Sequence, residues 1–163
     1  MDHLYTPWRM AYIRGEVRRE DVGCVFCGLG RETDHPLLIA RSQYIYVAMN
    51  LYPYNNGHLM VIPYEHVASQ EALPVEALAD LMVIVNRSLG ALRKLYDPPA
   101  FNLGVNLGKA AGAGIAEHYH FHIVPRWPGD ASFMTTVGET RVIPDTLENT
   151  ANELRQAWKT LYD

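Results

Sequence analysis

The stretch Glu117-His118-Tyr119-His120-Phe121-His122-Ile123-Val124-Pro125-Arg126 decides how this chain is read. Histidines hold three alternate positions, and Tyr119, Phe121 and Ile123 fill the gaps. In a β-strand successive side chains point to opposite faces, so residues i, i+2 and i+4 share one face. His118, His120 and His122 therefore line one side, with neighbouring Cα atoms roughly 6.6 Å apart at strand rise. Tyr119, Phe121 and Ile123 turn the other way, into a core. A helix would scatter the three imidazoles around its axis. Only seven histidines occur in 163 residues, and three of them fall within these five positions. That concentration argues against a polar strand face that has collected histidines by chance.

Upstream of the triad, Phe101–Leu107 alternates apolar with polar or small residues, as a half-buried strand does. Gly108-Lys109-Ala110-Ala111-Gly112-Ala113-Gly114 joins the two strands. Small residues let backbone amides approach an anion closely and form a concave phosphate nest; a plain flexible hairpin loop reads equally well. The glycines match neither a P-loop nor a dinucleotide-binding fingerprint, because no helix follows them. Further upstream, Leu37–Ala40 and Tyr44–Met49 are strand-like. Asn50–Gly57 carries Pro, Asn and Gly and reads as a turn, and His58–Pro63 as the returning strand of a hairpin. His58 at the mouth of that hairpin is either a surface histidine or part of a site.

Between and beyond these strands the period changes. Val75, Leu78, Leu81/Met82, Val85, Leu89, Leu92 and Leu95/Tyr96 recur every three or four residues, an amphipathic helix of about six turns. Pro74 suits its first turn and Asp97-Pro98-Pro99 stops it. After the triad, Pro125–Asp130 ends the strand, and residues 129–143 read as irregular with short β-like pieces. Asp145-Thr146-Leu147-Glu148 has the form of an acidic capping box, and Leu147, Ala151, Leu154, Trp158 and Leu161 give a carboxy-terminal helix. Residues 1–20 mix aromatics and arginines without a period. No internal repeat or linker is visible. One α+β domain over residues 1–163 is the economical organisation, with an amino-terminal arm over 1–21 and a carboxy-terminal extension over 128–163.

Composition narrows the function classes. Hydrophobic residues make up 48% and charged residues 20% of the chain, the profile of a soluble globular protein. A net charge of −4 argues against general attraction to nucleic-acid backbones or anionic membranes. No apolar run reaches the ~18 residues of a bilayer span, and the first residues have neither the basic start nor the apolar stretch of a signal peptide. A cytoplasmic location is the expectation. The two cysteines, Cys24 and Cys27, form no disulfide framework. A Cys-x-x-Cys knuckle can hold half of a tetrahedral zinc shell, act as a reducible dithiol, or be two buried free thiols.

Imidazole is nucleophilic near neutral pH and can form a phosphoramidate bond with phosphorus. One ring nitrogen attacks while an acceptor, such as a backbone carbonyl, holds the other and fixes the tautomer. His120, in the middle, is best placed to attack. His122 and His58 are candidate donors to phosphate oxygens, and the Gly112–Gly114 loop could add main-chain donors. The competing reading is a three-histidine metal site. Against it, alternate residues of one flat strand must bend considerably to share an ion about 2.1 Å from each nitrogen.

His118-x-His120-x-His122 followed by Ile123-Val124 resembles the defining signature of the histidine-triad (HIT) superfamily of nucleotide hydrolases and transferases. Asn50–Pro63, with Asn56-Gly57-His58-Leu59-Met60-Val61-Ile62-Pro63, is similar to that family's nucleotide-binding hairpin. Val105-Asn106-Leu107-Gly108 resembles the strand end before its glycine loop. Residues 128–163, with Gly129-Asp130 and Phe133-Met134, look like the bacterial branch that includes diadenosine tetraphosphate phosphorylases. The resemblance implies a five-stranded antiparallel sheet with two main helices, a homodimer, and cleavage of dinucleoside polyphosphates at the α-phosphate. It implies a covalent nucleotidyl intermediate on His120, with phosphate or water as acceptor. It puts Asn50 near the nucleoside, and His58, Asn106 and His122 near ribose or phosphate. It also implies a structural zinc held by Cys24, Cys27, His66 and His118. The chain departs from several branches that carry Gln and a hydroxyl residue just before the triad, since Gly112-Ala113-Gly114-Ile115-Ala116 has neither. That favours the phosphorylase-like branch over one alternative, an adenosine phosphoramidate or aminoacyl-adenylate hydrolase, and the intact triad argues against the other, a catalytically silent nucleotide-binding module.

Overall fold

The computed structural model describes residues 23–131, 133–138 and 142–163; the arm expected over residues 1–21 lies outside them. Helix α1 (Val25–Arg31) leads into strands β1 (Leu38–Arg41), β2 (Ile45–Met49) and β3 (Leu59–Pro63). Helix α2 (Val75–Tyr96) follows, then β4 (Ala100–Gly104), β5 (Phe121–Arg126), the short α3 (Phe133–Thr136) and α4 (Leu147–Tyr162). The strands form one antiparallel sheet in the order β1-β2-β3-β5-β4, with β4 at an edge. This is the expected α+β architecture with two long helices.

Period-two alternation gives the sheet two different faces. Ile45, Val47, Met49, Leu59, Val61 and Ile123 point to one side, where they form a single core with Leu81, Ile84, Val85, Leu92, Ala151, Leu154 and Trp158. Both long helices therefore cover that side. Leu38, Tyr46, Ala48, Met60 and Ile62 point to the other and pack against Phe26 of α1. Because Met60 faces His122 across β3–β5, this second face is also the histidine face.

The helices follow the sequence pattern with two adjustments. In α2 the buried positions are Ala77, Leu81, Ile84, Val85, Ser88, Ala91 and Leu92, whereas Val75 and Met82 are exposed. The smaller Ala77, Ser88 and Ala91 let the helix lie close to the sheet, so the seam runs slightly to one side of the row of large residues. Pro74 is the N-cap rather than a first-turn residue, and Asp97 ends the helix in the left-handed conformation at φ 43°. In α4 the cap is Thr146, whose Oγ1 accepts from the Asn149 amide. Asp145 instead accepts from the Asn149 side chain, so the expected box is displaced by one residue. The segment after β5 holds the short helix α3, and no strand occurs there among the described residues.

Gly57, at φ 73°, closes the β2–β3 turn, and a Cβ there would meet the Leu92 Cδ2 at 3.0 Å. The turn is thereby pressed onto α2, which fixes where His58 enters the sheet. No helix among the described residues is long and apolar enough to cross a membrane.

Leu154 of α4 is fully buried in the shared core. Leu154→Ala is expected to cost about 3 kcal/mol through lost burial and a residual cavity, read as a lower urea midpoint with unchanged slope.

Candidate active site

Of the stretch Glu117–Arg126, only Phe121–Arg126 lies within the sheet ladder. β5 begins at Phe121, and its pairing with β3 ends at Val61↔Phe121. Beyond that point Pro63 has no N–H to donate. The Pro63 carbonyl accepts from the His118 ring instead, at 2.9 Å, and the Tyr119 amide reaches the Val67 carbonyl at 2.6 Å. The alternation nevertheless persists. Tyr119 and Ile123 are buried in the helix-side core, while His118, His120 and His122 are buried on the opposite face.

The three imidazoles have different partners. His120 Nδ1 lies 2.8 Å from the backbone carbonyl of His118; a carbonyl only accepts, so Nδ1 carries the proton and the Nε2 lone pair is left unprotonated. The Phe26 ring packs on His120 at a centroid distance of 4.9 Å. Burial lowers the His120 pKa against the opposing effect of that carbonyl. The central ring is thus held neutral with its nucleophilic nitrogen defined.

His58 is not a surface residue: it is fully buried. Its Nδ1 accepts from the Tyr54 amide at 2.9 Å, so its proton sits on Nε2 and is donated to His122 Nδ1 at 2.8 Å. That leaves the His122 proton on Nε2, a buried atom without a hydrogen-bond partner among the described residues. A buried N–H in that condition costs about 1–3 kcal/mol. His122 and His120 are neighbours, with ring centroids 4.9 Å apart. The relay Tyr54–His58–His122 therefore ends in a donor beside the nucleophilic ring.

A second set of residues anchors the turn that starts this relay. Asp130 takes both Arg126 Nε and Nη2, at 2.6 and 2.7 Å, and the guanidinium holds its carboxyl down at about 2. The same carboxylate accepts from the Asn55 side chain at 2.8 Å, and Asn55 also donates to the Pro125 carbonyl at 3.1 Å. Tyr54, next to Asn55, stacks over His58 and His122 at centroid distances of 4.6 and 5.7 Å. Nothing in the sequence singles out Tyr54 or Asn55, which read as turn residues; the contacts they make with β5 join distant segments.

Cys24, Cys27, His66 and His118 come together as one group whose ligand atoms all lie within 4.8 Å of one another. Cys24 Sγ and Cys27 Sγ are 3.3 and 3.6 Å from His118 Nδ1, and Cys27 Sγ is 3.3 Å from His66 Nδ1. Ligands around a tetrahedral zinc stand about 3.5 Å apart, given Zn–S near 2.3 Å and Zn–N near 2.1 Å. The His118 proton is committed to Pro63 through Nε2, so its Nδ1 lone pair faces the thiols, the orientation that metal ligation by histidine requires. Burial first, and then the Cys24 thiol, raise the Cys27 pKa; a bound cation acts in the opposite sense and deprotonates its thiols. The residues fit a closed four-ligand zinc site. Of the three triad histidines, only His118 stands in this group with the cysteines.

The other candidate residues are less tightly gathered. Asn50 caps its own turn, its Oδ1 accepting from the Tyr52 amide at 2.9 Å, and the strand alternation puts it on the histidine face. Gly104 faces His122 across β4–β5, and Asn106 follows two residues beyond as the chain leaves the sheet. Gly112 has φ 88° and, with Gly114, lies in the loop that returns to the histidines. Among the described residues no hydrogen bond joins Asn106 or Gly112 to a histidine ring.

Burial, and then the neighbouring His120, lower the His122 pKa to about 4. An unfolded histidine takes its proton near 6.5, so between pH 6.5 and 4 the unfolded chain binds the proton that the native state refuses. Stability is expected to fall as pH is lowered through that window, and the melting temperature of His122→Asn to fall less over the same range.

Comparison with known proteins supports the same grouping. The HIT domain family matches residues 32–129, more than half of the chain. AP-4-A phosphorylase of Mycobacterium tuberculosis is 39% identical over 165 residues, spanning 97% of this chain and 85% of that protein. Adenosine 5'-monophosphoramidase of Saccharomyces cerevisiae is 30% identical over 106 residues, or 65% of this chain and 64% of that protein. The crystal structure of a Zn-bound histidine triad family protein from Mycobacterium smegmatis aligns with a TM-score of 0.70 at 30% identity, covering 85% of this chain and 95% of that one. With the histidine row, the sheet order and these matches in agreement, the chain belongs to the HIT domain family.

Proposed function

We propose that this protein is a nucleotidyl transferase that cleaves dinucleoside polyphosphates at the α-phosphate through a covalent intermediate on His120. The observation that carries the reading is the His120 ring, with Nδ1 bonded to the His118 carbonyl and Nε2 left as a free lone pair beside the unpartnered His122 Nε2–H. The Nε2 lone pair attacks the α-phosphorus, the P–N bond forms, and the P–O bond to the departing nucleotide breaks. His122 Nε2–H meets a non-bridging oxygen as charge shifts onto it, a donor held in place before the reaction begins. In the second step a phosphate oxygen attacks the same phosphorus and the P–N bond breaks, returning the lone pair to His120. From diadenosine tetraphosphate the balance is one ATP and one ADP. Inorganic phosphate is the proposed acceptor, supported by 39% identity to a protein named AP-4-A phosphorylase.

Asn50 is assigned to the nucleoside and Asn106, Gly112, Gly114 and His122 to ribose and phosphate, a reading supported by the row from β2 across β3 to β5; His58, with both ring nitrogens engaged, serves the phosphate through His122. A phosphoramidase reading is favoured by the yeast relative's name, and the substrate assay separates the two. Cys24, Cys27, His66 and His118 are assigned to a structural zinc, supported by their spacing and by the Zn-bound relative. When bound, zinc would tie α1 to the histidine segment. A cytoplasmic homodimer of one-domain chains completes the reading; edge strand β4 with Leu103 and the adjacent Leu107, both nearly half exposed, supports the pairing of two copies.

With diadenosine tetraphosphate, ADP and ATP are expected in equal amounts and only when phosphate is supplied. AMP release without phosphate overturns the acceptor, and faster turnover of an AMP–amine conjugate overturns the substrate class. His120→Ala should lose about four orders of magnitude or more in kcat while keeping its circular dichroism. Elemental analysis should find one zinc per chain, with Cys27→Ser losing both the metal and thermal stability. Light scattering should give a dimer that Leu103→Asp converts to monomers.

A further inference from the structure

One cleft in the described structure takes no part in the proposed reaction. It has a volume of about 420 Å³ and is lined by Tyr54, Asn102, Val124, Arg126, Ala131 and Thr135 among others. Its floor is a continuation of the histidine face. Val124 and Arg126 follow His122 at alternate positions of β5, and Asn102 and Ala100 of β4 face them directly. Its wall is Tyr54, the same ring that stacks on His122. The cleft and the proposed reaction site are therefore adjacent on one surface and share a residue.

Position along the sheet decides what such a cleft would hold. Asn50, assigned to the first nucleoside, directly follows β2, and the α-phosphate is assigned to His120, just before β5, and His122 on it. Continuing in the same direction across β2, β3 and β5 leads to β4, where the cleft lies. At strand rise Val124 is about 13 Å from His120, a separation that a short polyphosphate chain can bridge. The lining is suited to a neutral group more than to phosphates. The Arg126 charge is matched by Asp130 in a two-bond fork, and the remaining polarity is amide and hydroxyl. Arg126 Nη1 donates to Asn102 Oδ1 at 2.6 Å, which orients the Asn102 amide group in the lining. A flat ring shelf, an oriented amide and two short apolar side chains, Val124 and Val142, make a site for a base and its ribose.

We infer that the cleft bounded by Tyr54, Asn102 and Arg126 is the subsite for the second nucleoside of a dinucleoside polyphosphate, the one carried away on the leaving nucleotide. This rests on the reaction proposed above and extends it to the part of the substrate that does not react. It gives the departing half its own contacts, so remote binding there contributes to aligning the α-phosphorus with His120.

Two substrates separate the inference from the reaction it rests on. Diadenosine tetraphosphate carries the second nucleoside; adenosine 5'-phosphorofluoridate has the same α-phosphorus but loses only fluoride. Asn102→Ala removes the amide, and Ala131→Trp fills the cleft from an exposed position without touching the histidines. Each is expected to lower kcat/KM for the dinucleotide about tenfold, the scale of one or two lost hydrogen bonds, and to leave the fluoridate rate within twofold of wild type. Equal losses on both substrates, or no loss on either, overturn the subsite. Failure of the wild-type protein to turn over either substrate would overturn the proposed reaction itself.

Discussion

His118 is the residue on which the arrangement turns. Its ring donates to the Pro63 carbonyl through Nε2, which leaves Nδ1 turned to Cys24 and Cys27. Its own backbone carbonyl accepts from His120 Nδ1. One residue thus ties the end of β3, the cysteine cluster and the central imidazole together. It is buried, so neither hydrogen bond competes with water. The tautomer of His120, and with it the availability of Nε2, follows from where this one peptide sits.

The sheet makes that possible by keeping its two faces apart. The helix side is a dry core in which α2 and α4 cover the odd-numbered residues of β2, β3 and β5. The opposite side carries imidazoles, amides and the small helix α1, which covers His118 and His120 through Phe26. Polar groups are buried there only because each meets a partner: a carbonyl for His120, a backbone amide and a second ring for His58. His122 Nε2 is the exception among the described residues, and the proposed reaction gives this buried donor a phosphate oxygen as its partner. The Arg126–Asp130–Asn55 cluster extends the same logic to the turn, fixing Tyr54 so that its amide and ring both bear on the histidines.

Alternation alone in the sequence determined that three histidines share a face and that Tyr119 and Ile123 lie in the core, because a period of two admits only that sorting. The 3.6-residue period likewise determined the two long helices, and the Pro, Asn and Gly of Asn50–Gly57 between two strand-like runs determined the hairpin. Resemblance in the motifs extended this to the family and to the cysteine–histidine set. Only the tertiary structure decided the partners. That His58 is buried, that its Nε2 meets His122 64 positions away, and that Asn55 is held by Asp130 75 positions away are consequences of β3 pairing with β5. Local sequence carries no record of such contacts, because each joins segments that become neighbours only when the sheet closes. For the same reason a turn rich in Tyr and Asn gave no sign that it forms the wall of a cleft.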